Sequence, residues 1–254
     1  MKVSLIGTGF VGYNIFHQAD EGIDLYNTSN IAGLYGKEYD LVIVAAPGGS
    51  KFVANKFPDE DRFGVGAIVT YLNSAKGIKK VVLISTIEVY SDKNKIDESG
   101  EIDESQLDDY GRSRRLLEKT IIEEYGNPLI IRLPILFGEN LKKNFIYDLI
   151  HNERLEYINP DDELPVYNLE YLWNDILTCL DCEIDVVNMV SEPTKIDEIT
   201  KEIFNIELSK NESLPLRKYD IRSKHAHLWG PEHYMESKKE MMYDLLKFVE
   251  KQNG

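Results

Sequence analysis

The chain has 254 residues, 43% of them hydrophobic, which is enough to bury one substantial core and to build a single α/β domain or one domain with a small lobe. Its 44 acidic against 29 basic side chains give a formal net charge of −15, which repels phosphate backbones and anionic lipid and argues against nucleic acid as a partner. No apolar run approaches the roughly 18 residues of a membrane span, and "MKVSLIG" enters a strand at once with no signal-peptide core ahead of it, so a cytoplasmic protein without membrane contact is expected.

The first predicted strand, "VSLIG" at 3–7, runs directly into "TGFVGYNIF", which reads as a turn and the start of a helix. Gly7 permits the tight turn, Gly9 lets backbone approach a pyrophosphate, and Gly12 allows close packing of helix on strand. With Phe10 and Val11 between them, these residues form the expected cofactor-binding turn, where unpaired N–H groups and a positive dipole end face the phosphates. The second strand, "IDLYN" at 23–27, ends on Asn27, where an acidic group would grip the adenosine ribose. Asparagine can bond a ribose hydroxyl without repelling a 2′-phosphate, so NAD and NADP both remain open as the cofactor.

Strand "LVIVAA" at 41–46 closes on Ala45, Ala46 and Pro47, small residues suited to close approach by a cofactor, and a loop is expected over "GGSKFVANKFPDEDR" at 48–62. In that loop Lys51 could meet a phosphate or a substrate carboxylate, and a plain surface lysine is the commoner case. A helix over 66–77 leads to strand "KVVLIST" at 80–86. The acidic stretch at 90–109 is long for a loop in a compact domain, and either a lid or a solvated excursion would account for it. A helix over 111–126, strand "LIIRLP" at 129–134, a helix in "LEYLWNDILTCLDCE" and strand "DVVNMV" at 185–190 follow.

Strands that are apolar throughout rather than alternating have both faces covered, which predicts a Rossmann-type doubly wound parallel sheet, α/β in class. Residues 1–140 should form the dinucleotide-binding domain, completed by about 168–192, and 141–167 with 193–254 a small C-terminal substrate-binding lobe. Cys179 and Cys182 make a C-x-x-C inside a helix with no second pair, and His225 and His227 have no partner at a recognisable ligand spacing, so no metal is expected. Burial in the lobe's core is the simplest account of Trp229 and His227, and a sugar or base pocket is the other.

"GTGFVG", "LVIVAAP", "LISTIEVYSD", "YGRSRRLLE" and "IIRLPILFGEN", in this order, resemble the extended short-chain dehydrogenase/reductases that act on nucleotide sugars. The resemblance implies that Thr86 hydrogen-bonds the substrate hydroxyl and that Tyr110 is the active-site tyrosine. The family's lysine four residues on is Arg114 here. A positive charge near 4 Å from the phenol is worth roughly 4 kcal/mol at an effective dielectric of 20, so Arg114 could act as the electrostatic helper, although its planar fork cannot reproduce an ammonium. A charged helix start with Arg112, Arg114 and Arg115 solvated fits the same residues.

The family's sugar dehydratases carry an aspartate where Ile87 stands, so dehydration by that route is disfavoured, while Glu88 remains as an expected substrate contact. Asn144, between Lys142, Lys143 and a helix, resembles the asparagine that holds the nucleotide-sugar diphosphate, and Arg222 offers a bidentate fork for it. The resemblance implies an NAD(P)-dependent epimerase or reductase of a nucleotide sugar, in which the coenzyme carries the hydride and Tyr110 the proton, and a possible homodimer. The alternative is a dinucleotide-binding sensor or interaction protein with little or no turnover, motivated by Arg114 and Ile87.

Overall fold

The computed structural model describes residues 1–19, 22–230 and 232–253. Along the chain run β1 (Val3–Ile6), α1 (Phe10–Gln18), β2 (Ile23–Tyr26), β3 (Glu38–Val44), α2 (Lys51–Lys56), α3 (Pro58–Asn73), β4 (Gly77–Thr86), β5 (Asn94–Ile96), α4 (Asp109–Tyr125) and β6 (Leu129–Leu133). There follow β7 (Ile135–Phe137), α5 (Phe145–His151), β8 (Glu163–Leu164), β9 (Val166–Asn168), α6 (Leu172–Asp181), β10 (Val186–Asn188), β11 (Thr194–Lys195), α7 (Ile196–Glu202), β12 (Asp220–Ile221) and α8 (Lys238–Asn253). Two compact units result, one of residues 1–91, 101–132 and 171–187, the other of 92–100, 133–170 and 188–254.

The first unit is organised by a six-stranded sheet in the order β10-β6-β4-β3-β1-β2. β1 pairs in parallel with both β2 and β3, placing Ile6 beside Tyr26 and Val44, and β3 pairs in parallel with β4. The central strands are buried along their length, as at Leu41 to Val44, because helices cover both faces. β2, at the edge, is only partly buried. Val42, Val44, Leu83, Leu72 and Ile121 share one core cluster, and burying each such side chain contributes about 1.5–3 kcal/mol. Strand order reverses between β1 and β3, so the loops leaving their carboxyl ends open a crevice, the usual ligand position of open α/β sheets.

Helix boundaries follow capping chemistry. Asp108 accepts the Gly111 N–H at the start of α4, and Gly126 ends that helix at φ 70°. The loop expected over 48–62 is instead helical through most of its length. Ser50 caps α2 by accepting from the Val53 N–H, and Pro58 opens α3 with Asp59, Glu60 and Asp61 in its first turn, where carboxylates favour the positive helix end. α3 therefore begins eight residues earlier than the apolar periodicity from Gly66 indicates.

The second unit packs Phe137, Ile146, Val166, Ile196, Met241 and Leu245 into its own core. Residues 92–100, from the acidic stretch, belong to it. β5 pairs with β12, and Glu98 accepts hydrogen bonds from the Asn188 N–H at 2.7 Å, the Ser223 hydroxyl at 2.6 Å and the Lys224 N–H at 2.8 Å. That part of the stretch is neither lid nor solvated excursion, because a carboxylate with three donors is fixed in place. Trp229 is half-buried and His227 exposed, so the core position expected for His227 is not what the structure holds. Among the described residues no helix is long and apolar enough to cross a membrane, and no group of three or more His, Cys, Asp or Glu side chains is placed to hold a metal.

Candidate active site

At the crevice between β1 and β3 the glycine turn is shaped by its neighbours. Gly7 adopts φ 112°, and a Cβ there would lie 2.4 Å from the Ala45 carbonyl oxygen. A Cβ on Gly12 would lie 1.9 Å from the Gly7 carbonyl oxygen, so the turn closes on its own helix through this residue. Around Gly9 nothing stands within 4 Å of the Cβ position, and Gly9 caps α1 with no side-chain hydrogen bond. The N–H groups of Phe10, Val11 and Gly12 thus begin the helix without a side-chain partner, beside an open face. An uncapped helix start at a strand-order reversal fits a dinucleotide pyrophosphate. Ala45, Ala46 and the cis-linked Pro47 follow β3 directly, and Ala45 lies against Gly7 and Gly12. Asn27 accepts from both the N–H and the hydroxyl of Ser29 through Oδ1, and among the described residues its amide hydrogens meet no acceptor.

The end of β4 and the start of α4 meet closely. Thr86 is the last residue of β4, and its hydroxyl oxygen accepts from the Glu88 N–H at 3.2 Å. Ile87 is buried, and the Glu88 carboxylate takes the Lys51 ammonium at 2.6 Å. Lys51 also stands 3.0 Å from Asp108, so the cation expected to meet a phosphate is paired with two carboxylates of the chain itself. Partial burial disfavours its charge, yet Glu88 and Asp108 together hold its pKa above the ordinary lysine value. Burial likewise opposes ionisation of Asp108, but the Gly111 N–H and Lys51 keep its carboxyl below the usual range.

Gly111 makes this meeting possible, since a Cβ there would lie 2.6 Å from the Glu88 carbonyl oxygen. Gly111→Ala sets backbone against backbone and is expected to cost about 1–3 kcal/mol, read as a lower urea midpoint at unchanged slope.

Tyr110, one residue earlier, is half-buried, and among the described residues its hydroxyl has no hydrogen-bond partner. Arg114 lies on the same helical face, its guanidinium carbon 4.6 Å from the Tyr110 ring centroid. It is not solvated, and it is not an unpaired helper. Both terminal nitrogens donate to Asp61 at 2.9 Å, and each side chain of the pair is only 7% exposed. Asp61 offsets the charge that Arg114 would otherwise present to the phenol, while the guanidinium stays over the ring.

Several solved structures share this architecture. A dTDP-4-dehydrorhamnose reductase from Clostridium acetobutylicum superposes with a TM-score of 0.73 at 15% identity, with 100% of both chains covered. RMD from Pseudomonas aeruginosa, complexed with NADPH, gives 0.73 at 18% identity over 99% of this chain and 100% of the other. A UDP-N-acetylglucosamine 4-epimerase from Methanobrevibacter ruminantium M1, in complex with UDP-N-acetylmuramic acid, gives 0.75 at 14% identity over 98% and 97%. At such identities the likeness establishes the fold. No curated protein matches the sequence significantly. The model of the NAD dependent epimerase/dehydratase family matches residues 13–155, more than half of the chain. The chain belongs to this family.

In this epimerase/dehydratase-family chain a buried polar network underlies the β4 end. Arg132 donates from Nε and one terminal nitrogen to the two Glu118 oxygens at 3.0 and 2.8 Å, and from the other nitrogen to the Tyr90 hydroxyl at 2.7 Å. The Ser85 hydroxyl and Arg115 complete the Glu118 shell at 2.6 and 2.9 Å. Ser85 precedes Thr86, Glu118 lies on the Tyr110 helix and Arg132 on β6, so the network ties strand end to helix. Neither Glu118, Arg132 nor Asp61 stands out in the sequence, since each partner is recognisable only once α3, α4 and β6 are neighbours.

The family-type contacts expected in the second unit are engaged within it. Asn144 caps α5 by accepting from the Ile146 and Tyr147 N–H groups and donates to the Leu136 carbonyl at 2.7 Å. Arg222 spends Nε and one terminal nitrogen on Asp220, at 3.0 and 3.2 Å. A cavity of about 480 Å³ in this unit is lined by Glu163, Glu192, Asp220, Lys218, Tyr219 and Tyr234, and three carboxylates against one ammonium make it a poor seat for a diphosphate.

Proposed function

We propose that the chain is an NAD(P)-dependent epimerase or reductase of a nucleotide-activated sugar. Gly7 to Gly12 and Ala45 to Pro47 would hold the coenzyme, which would supply hydride exchange with a ring carbon of the sugar. Tyr110 gives and takes the hydroxyl proton, and Thr86 orients that hydroxyl. Arg114 contributes a stacking surface that holds the Tyr110 ring, with its charge met by Asp61. Glu88 is the substrate contact of this reading within the first unit. The observation that carries it is the phenol hydroxyl of Tyr110, which has no partner among the described residues and lies one residue before the contact between Gly111 and the turn after Thr86.

The test is titration calorimetry with NADH and NADPH, followed by incubation with a panel of UDP- and dTDP-sugars and mass spectrometry of the products. Coenzyme affinity with sugar conversion is the expected result. Affinity without conversion favours a coenzyme-binding sensor, a reading supported by the Arg114–Asp61 pair and by Ile87 in place of an acid; no affinity for either coenzyme overturns both. Gly12→Ala, whose methyl group would collide with the Gly7 carbonyl, is expected to weaken coenzyme binding by about 10- to 100-fold in the same titration.

A further inference from the structure

α2 is a short, mostly exposed helix between the Pro47–Ser50 turn and α3, and its inward side chains meet the start of α4. Asn55 uses both ends of its amide there. Its Oδ1 accepts the backbone N–H of Tyr110 at 2.8 Å, and its Nδ2 donates to Asp108 Oδ2 at 3.2 Å. Asp108 in turn accepts the Gly111 N–H through its other oxygen at 2.8 Å. The first N–H groups of a helix have no partner inside it, and one capping side chain ordinarily meets one of them. In α4 the work is divided: Asp108 serves the third helical residue from within the chain's own cap, and Asn55, 55 positions away, serves the second, which is Tyr110 itself.

We infer that Asn55 is a positioning residue for Tyr110, fixing the first turn of α4 so that the phenol is held in register with the β4 end. This rests on the proposed role of Tyr110 in proton transfer. Asn55 touches neither the phenol hydroxyl nor the glycine turn, so it acts only through the backbone it grips. It is also exposed, so removing its amide opens no cavity in the core. The same helix begins four residues after Pro47, so the strand end proposed to touch the coenzyme and the residue that holds Tyr110 lie on one continuous short segment. Displacement of a reacting group by about 1 Å can cost two orders of magnitude in rate, which sets the scale of the effect.

Two variants test the inference. Asn55→Ala removes both hydrogen bonds, whereas Asn55→Asp keeps an acceptor for the Tyr110 N–H and loses only the donor to Asp108, with the Lys51 ammonium, 3.0 Å from Asp108, to offset the added carboxylate. Asn55→Ala is expected to lower kcat by about 10- to 100-fold with coenzyme Kd unchanged and Tm lowered by only about 2–4 °C, as for the loss of one helix cap, and Asn55→Asp to return kcat to within about threefold of the parent. A 3-fluorotyrosine at position 110 gives a 19F resonance that reports ring placement whether or not the protein turns over: it should move in Asn55→Ala and return in Asn55→Asp. A resonance that moves and returns in a parent without turnover upholds the positioning role and overturns the proposed reaction. An unmoved resonance, an unchanged kcat in an active parent, or equal losses of kcat in both variants overturns the positioning role.

Discussion

Arg132→Met is expected to destabilise the chain by about 3–5 kcal/mol, measured as a fall in urea midpoint, because it takes from a carboxylate with no access to water its buried cation, leaving only Arg115 and Ser85. Glu118 is fully buried, and Arg132 supplies two of its four hydrogen bonds as well as the donor to Tyr90. Burial alone would raise the Glu118 pKa, but Arg132, Ser85 and Arg115 hold it below the ordinary glutamate value of 4.5. A carboxyl whose folded pKa lies below its unfolded one binds more protons when unfolded, so its contribution is complete above the unfolded value and fades as pH falls through the folded one. The gap in stability between parent and Arg132→Met should therefore be widest near neutral pH and narrow below about pH 4. The double variant Glu118→Leu/Arg132→Met removes both charges and is expected to regain much of the loss, since replacing a whole buried pair costs far less than breaking it.

Tyr110→Phe is expected to lower sugar turnover by about 10²- to 10⁴-fold, the usual worth of a positioned acid/base, while leaving Tm and coenzyme affinity as they were. The two halves of that expectation come from the same observation. Among the described residues the hydroxyl makes no hydrogen bond within the protein, so deleting it breaks nothing in the fold. The ring stays stacked beneath Arg114, so its placement survives the substitution. A Tyr110→Phe protein as active as the parent in the product assay would remove Tyr110 from the chemistry.

The parts of this molecule that could be read from sequence are those encoded locally. β3, β4 and β6 announce themselves because their fully covered stretches, Leu41–Val44, Val81–Leu83 and Leu129–Ile131, are apolar runs rather than alternating ones. The glycine turn is legible from its place between a strand and a helix, and the Tyr110 helix from its apolar face and its final Gly126. α2 and the first turn of α3 left no such trace: Phe52, Val53, Phe57 and Phe63 are all exposed, so no apolar stripe marks a buried face. What did mark them was Ser50 as a cap and Pro58 ahead of three acids, signals of helix ends rather than of helix faces.

Contacts across the fold were illegible for a different reason. Asp61 and Arg114 are 53 positions apart, as are Asn55 and Asp108, and no spacing rule connects them. Arg114 was legible as a neighbour of Tyr110 because both lie on one helix, whereas the carboxylate that offsets its charge lies on another. Glu98 presents the same difficulty: among so many acids nothing singles out the one that meets Ser223, 125 positions on.

The Arg114–Asp61 pair limits which single substitutions the helix interface can absorb. Each member is almost sealed from water, so losing either one alone would maroon the other's charge in a medium that solvates it poorly. A lysine at position 114 would place its ammonium within reach of the same aspartate, so presenting an unshared cation to the Tyr110 ring requires changing both residues at once.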